Sequence, residues 1–118
     1  MKSLILVAHG SRRDTSNSEI RALTNRLGDR VKNQFEHIAC AFLEFEHPTI
    51  GTAIDTAVQA GSSEITVLPY FLARGFHVTV DIPALLTAKS ALHPAVTFDL
   101  KPHVGASPAM VELLAFCV

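Results

Sequence analysis

Two histidines stand just beyond apolar runs of this sequence, His9 after LILVA and His77 after LPYFLARGF. Neutral imidazole accepts protons near neutral pH and ligates iron, cobalt, nickel and zinc. Glu44, which closes the run AFLE, adds a carboxylate able to do either job. Gly10 follows His9 directly and Gly75 precedes His77 by two residues, and glycine lets a backbone turn sharply or come close to a bulky ligand. Ser11 and Arg12 complete the first turn, and Arg74 opens the second. A guanidinium grips carboxylates in bidentate fashion, so Arg12 and Arg74 are candidate substrate contacts, whereas Arg13 reads as a solvated charge. The candidates are too few and too scattered for a closed structural zinc site, and neither Cys40 nor Cys117 is among them. They suit an open site that takes a metal and gives it up.

Such residues need a scaffold that brings chain-distant turns to one place. Leu4 to Ala8 is an uninterrupted apolar run, as expected of a strand buried on both faces. Ser16 and Glu19 have capping-box spacing, and Ile20, Leu23, Leu27 and Val31 recur at helical steps. His37 to Leu43 reads as a second strand. Ile50, Ile54, Ala57 and Val58 share a helical face that Gly61 should end. Glu64 to Tyr70 is a third strand, with Pro69 closing its regular pairing. Leu85, Leu86, Ala88 and Leu92 continue a helix closed by His93 and Pro94. Val96 to Leu100 is a fourth strand, Pro102 to Ser107 a loop, and Ser107 and Pro108 the cap of a short helix, Ala109 to Phe116.

The order βαβαβαβα predicts an α/β fold of three layers, with a four-stranded, mainly parallel sheet and helices on both faces. Open parallel sheets bind ligands beyond the carboxyl ends of their strands. His9, Glu44, His77 and His103 all follow strand ends, so all four are expected on one rim. His37, His47 and His93 are expected at the surface. Asp81 reads first as a cap for the helix that Pro83 begins, and second as an acceptor fixing the tautomer of His77.

The 118 residues fit one domain, 1–118, with 48% apolar and 18% charged residues, the balance of a soluble globular chain. A net charge of −1 argues against nucleic acid or an anionic membrane as partner. The run Leu4 to Ala8 is too short for a secretion-signal core, and no stretch is long enough to span a membrane, so the expected location is the cytoplasm. Cys40 and Cys117 form no CxxC and read as small core residues. A GxxxxGK[ST] phosphate loop, a GxGxxG fingerprint and a GxSxG nucleophile elbow are all missing. Histidine phosphatases also place histidine and glycine after the first strand, but with an arginine where this chain has Ala8.

In four ordered blocks the chain resembles the short, single-domain sirohydrochlorin chelatases of the CbiX type. The blocks are LILVAHGSR, AFLEFEHP, LPYFLARGFHVTVDIPALL and PHVGASPAMVELL. The resemblance implies the chelatase-type α/β fold and insertion of a divalent metal, cobalt or iron, into sirohydrochlorin on the way to cobalamin or sirohaem. It implies His9 and His77 as the catalytic pair and Glu44 as a third active-site residue, the same three being the metal-contacting groups. The metal, whether cobalt, iron or nickel, is then a substrate, and no permanent cofactor is implied. Sirohydrochlorin bears many carboxylates, which gives Arg12 and Arg74 a purpose, while Phe71, Leu72 and Phe76 could pack on the macrocycle face. Arg13 stands where related sequences often have an acid. Short members are expected to pair as homodimers. The alternatives are nickel insertion into a related tetrapyrrole and a carrier that binds metal or tetrapyrrole without catalysis.

Overall fold

A computed structural model describes the whole chain, Met1–Val118. Four strands, β1 (Lys2–Ala8), β2 (His37–Phe42), β3 (Glu64–Pro69) and β4 (Thr97–Leu100), form one parallel sheet in the order β2-β1-β3-β4. The helices are α1 (Asp14–Val31), α2 (Ile50–Gln59), α3 (Ile82–Leu92) and α4 (Ala109–Cys117). β1 is central because its residues are apolar on both faces. Ile5 and Val7 pack with Ala41, Ile65 and Val67 against α2 and α3. Leu6 and Ala8 pack with Cys40 and Phe42 on the other face, under Ile20 and Leu23 of α1. The three-layer α/β architecture expected from the strand–helix alternation is therefore present, with strand ends within two residues of those expected.

Strand order reverses between β1 and β3. The chain leaves β1 for β2 on one side and returns past β1 to build β3 and β4 on the other. The crevice above the carboxyl ends of β1 and β3 is the switch point where such sheets bind ligands. His9 is the residue after β1, and the chain beyond β3 leads to His77.

Several local expectations change. The residue preceding α1 is Arg13, with no side-chain cap, and Ser16 lies inside the first turn, so the Ser16–Glu19 capping box does not form. The reason is Asn17: it is 2% exposed, and its side chain accepts from Ser11 N–H and donates to Ser11 C=O, tying the entering loop to the helix. At α2, Thr49 accepts from Thr52 N–H. Gly61 ends α2 at φ +99° in a Schellman arrangement, with Ser62 N–H donating to Ala57 C=O and Gly61 N–H to Val58 C=O. Cys117 is exposed rather than core, because α4 lies off the sheet and contacts mainly a 3-10 turn, Val104–Ala106. His37 and His93 are half-buried, and of the three histidines expected at the surface His47 is the exposed one.

Candidate active site

Gly10 shapes the first turn. It sits at φ +90°, a conformation that disfavours any side chain, and a Cβ there would lie 1.9 Å from the Glu44 carbonyl oxygen. That close approach lets Glu44 N–H donate to His9 C=O and draws the β2 turn onto the β1 turn. The result is His9 Nε2 at 3.7 Å from Glu44 Oε2, both side chains about half exposed. This is too long for a hydrogen bond. Two atoms each about 2.1 Å from one metal ion stand roughly 3.0–3.4 Å apart at octahedral or tetrahedral angles, so small side-chain movement suffices for a shared ion.

The second turn places His77 by a different device. Residues His77–Asp81 form a π-helical turn leading into α3, with Ile82 N–H donating to His77 C=O. A turn widened in this way often marks a functional position. Here it brings His77 Nδ1 to 2.7 Å from Asp81 Oδ2. Asp81 makes no capping bond to α3, so its role is the acceptor and not the cap.

The tautomers follow from the partners. A carboxylate and a carbonyl only accept, so His77 Nδ1–H donates to Asp81 and His9 Nδ1–H donates to Gly10 C=O at 3.1 Å. In its neutral form each ring then has its Nε2 lone pair directed away from these bonds and open to a proton or a metal. The two rings meet edge to face with centroids 5.7 Å apart. Glu44 pairs with His9 and Asp81 with His77, and no group of three or more His, Cys, Asp or Glu side chains stands close enough to form a metal site as it is. The expected trio of His9, His77 and Glu44 is thus two adjoining pairs on one rim rather than a preassembled cluster.

Ser11 is half-buried, held by Asn17 through its backbone, while its hydroxyl accepts from Arg13 N–H. Arg12 is exposed, its guanidinium 4.9 Å above the ring of Phe45. Phe45 was not singled out from sequence, yet it is the one non-glycine residue at positive φ, +66°, and it is 54% exposed beside the site. A bulky residue held there is strained. Arg74 is exposed at the rim. Gly75 has open space around it and no positive φ, so it is not sterically required where Gly10 is.

Phe71 is partly buried and packs against the core on the α2–α3 side. Leu72 and Phe76, 74% and 68% exposed, are large apolar side chains that the loop leaves at the surface. His103 lies at the same rim, beyond β4.

A second set of groups supports the β2 turn from below. Arg21 of α1 donates to His47 C=O and pairs with Glu46 at 3.1 Å, and Asn17 reaches the same carboxylate at 3.4 Å. The His47 N–H and then the Arg21 guanidinium hold Glu46 below the ordinary carboxylate range.

Comparison with known proteins shows the family and the fold. The CbiX family model matches residues 3–116. The chain is 41% identical over 86 residues to the sirohydrochlorin cobaltochelatase of Methanocaldococcus jannaschii, covering 73% of this chain and 59% of that protein. It is 34% identical over 104 residues to the chloroplastic sirohydrochlorin ferrochelatase of Arabidopsis thaliana, covering 85% of this chain and 45% of that one. The chain thus spans about half the length of the curated relatives it matches. The crystal structure of a CbiX protein from Marinobacter aquaeolei VT8 superposes with a TM-score of 0.79 at 28% identity, over 99% of this chain and 93% of that one. A parallel β2-β1-β3-β4 sheet with a histidine pair at its switch point, matched almost end to end by the family model, places this chain in the CbiX family.

Proposed function

We propose that the protein is a cytoplasmic metal chelatase that inserts a divalent ion, cobalt or iron, into sirohydrochlorin for cobalamin or sirohaem synthesis. The observation that carries this reading is the His9–His77 pair, 5.7 Å apart, each ring with Nδ1 engaged and Nε2 free. Insertion exchanges one M²⁺ for two pyrrolic protons, and it requires the ion to shed waters. His9 and His77 take the metal at Nε2 and accept or relay the protons that leave the macrocycle. Glu44 offers an oxygen to the ion at the His9 end. Asp81 keeps the His77 proton on Nδ1 and stabilises the ring when it becomes charged. The first five curated relatives that match are cobaltochelatases and two ferrochelatases follow them, which supports these two ions over nickel.

The functional unit is a homodimer. α4 exposes Val111, Leu113, Leu114 and Phe116, the last at 90%, and the loop after β3 adds Leu72 and Phe76. Side chains of this size offer on the order of 800 Å², about what each partner contributes to a standard interface. A second copy is the fitting occupant, because the longer relatives have room for a second domain of this size.

The test is anaerobic incubation of sirohydrochlorin with Co²⁺, Fe²⁺ or Ni²⁺, followed by visible absorption. Product formation above the uncatalysed rate with Co²⁺ or Fe²⁺ is expected. Tight binding of pigment with no rate enhancement would make the protein a carrier instead.

A further inference from the structure

The chain carries a net charge of −1, so a polyanionic ligand gains little from the molecule as a whole and needs a local cluster of cations. One exists beside the histidine pair. A cavity of about 490 Å³ opens between the loop after β3 and the end of β4, lined by Arg74, Lys101 and His103 together with Thr79 and Leu100. No aspartate or glutamate lines it. Lys101 is paired with Asp99 at 2.8 Å, but both side chains are half exposed, and such a pair yields readily to a stronger partner. Arg74 forms no ion pair.

The cavity is built rather than incidental. Its two walls are tied together at Gly105, whose N–H donates to Phe71 C=O and whose Cα packs so close that a Cβ would lie 1.7 Å from the Leu72 carbonyl oxygen. Arg74 stands three residues before His77, and Val78 and Thr79 of the π-helical turn line the same space. Across the rim the order is Glu44, His9, His77, then this cavity, following the strand order β2-β1-β3-β4.

Resting on the chelatase reading above, we propose that this cavity is a carboxylate subsite: Arg74, Lys101 and His103 seat an acidic arm at the edge of the macrocycle while its centre lies over His9 and His77. Arg74 holds the arm in bidentate fashion, and Lys101 and His103 donate to it from the β4 side. The subsite sets which edge of the flat ring points toward β4, so it orients the substrate and takes no part in the metal exchange.

The experiment compares wild type with Lys101→Gln, His103→Gln and the double variant. Sirohydrochlorin KM, Co²⁺ KM, kcat, a direct pigment Kd and the melting temperature are measured for each. The double variant should raise the sirohydrochlorin KM and Kd about tenfold or more, leaving kcat, Co²⁺ KM and melting temperature near wild type. Lys101→Arg should restore most of the loss, and added NaCl should weaken pigment binding more in wild type than in the double variant. Unchanged sirohydrochlorin KM and Kd would overturn the proposal. So would millimolar inorganic phosphate perturbing the His103 resonances without competing with pigment, which would make this a free-anion site. If wild type forms no metallated product, the chelatase reading fails, and the pigment Kd series still decides whether the cavity holds a carboxylate arm.

Discussion

At the scale of single residues, the account depends on which nitrogen of each imidazole is free. Asp81→Asn keeps the shape beside His77 but allows the proton to move to Nε2, so kcat should fall about 10- to 100-fold with little change in pigment Kd. An unchanged kcat in that variant would remove Asp81 from the mechanism. Glu46 makes a separate prediction about stability. Its carboxyl is held below its ordinary value of 4.5 by the His47 N–H and Arg21. The stability it adds is therefore present above that value and lost as pH falls toward the depressed one. Glu46→Gln should be less stable than wild type near neutrality and should lose less of its melting temperature on acidification through the carboxylate range. The chemistry-bearing types His9, Glu44 and His77 were legible because they interrupt apolar runs. Asn17 and Phe45 were not, since what marks them is a buried amide aimed at a loop backbone and a strained φ, and neither leaves a pattern of spacing.

At the scale of elements, strands were the most legible part because burial on both faces leaves continuous apolar runs such as Leu4–Ala8. The start of α1 was misread, since a capping box at Ser16 and Glu19 competes with a loop that Asn17 fastens from inside the helix. The π-helical turn was also hidden: one extra residue in a turn changes which side chains meet without changing the hydrophobic pattern. Glycine positions carry the sharpest prediction here. Gly10→Ala must relieve both a positive φ and a contact of 1.9 Å with backbone, so it should lower unfolding free energy by about 2 kcal/mol or more. Gly75→Ala, at an open position, should change stability little. Equal effects in urea unfolding would contradict the tight joint between the β1 and β2 turns.

At the scale of the whole molecule, the chain order of the strands and the rule for switch points were enough to bring His9 and His77 to one rim, although nearly seventy residues separate them. Sequence periodicity could not show that α4 lies off the sheet, because an apolar helix looks alike whether it covers its own core or another chain. No helix is long and apolar enough to cross a membrane. Light scattering should report a dimer, and Leu114→Glu with Phe116→Glu should convert it to monomer while leaving the fold intact by circular dichroism. A monomeric wild type would refute the assembly. The central claim, that two imidazoles with free Nε2 atoms carry out metal exchange, is tested most directly by initial rates of Co²⁺ insertion into sirohydrochlorin for wild type, His9→Ala and His77→Ala. Each single variant should lose about 100-fold or more of the rate above background while still binding the pigment. Full activity in either variant would contradict the account.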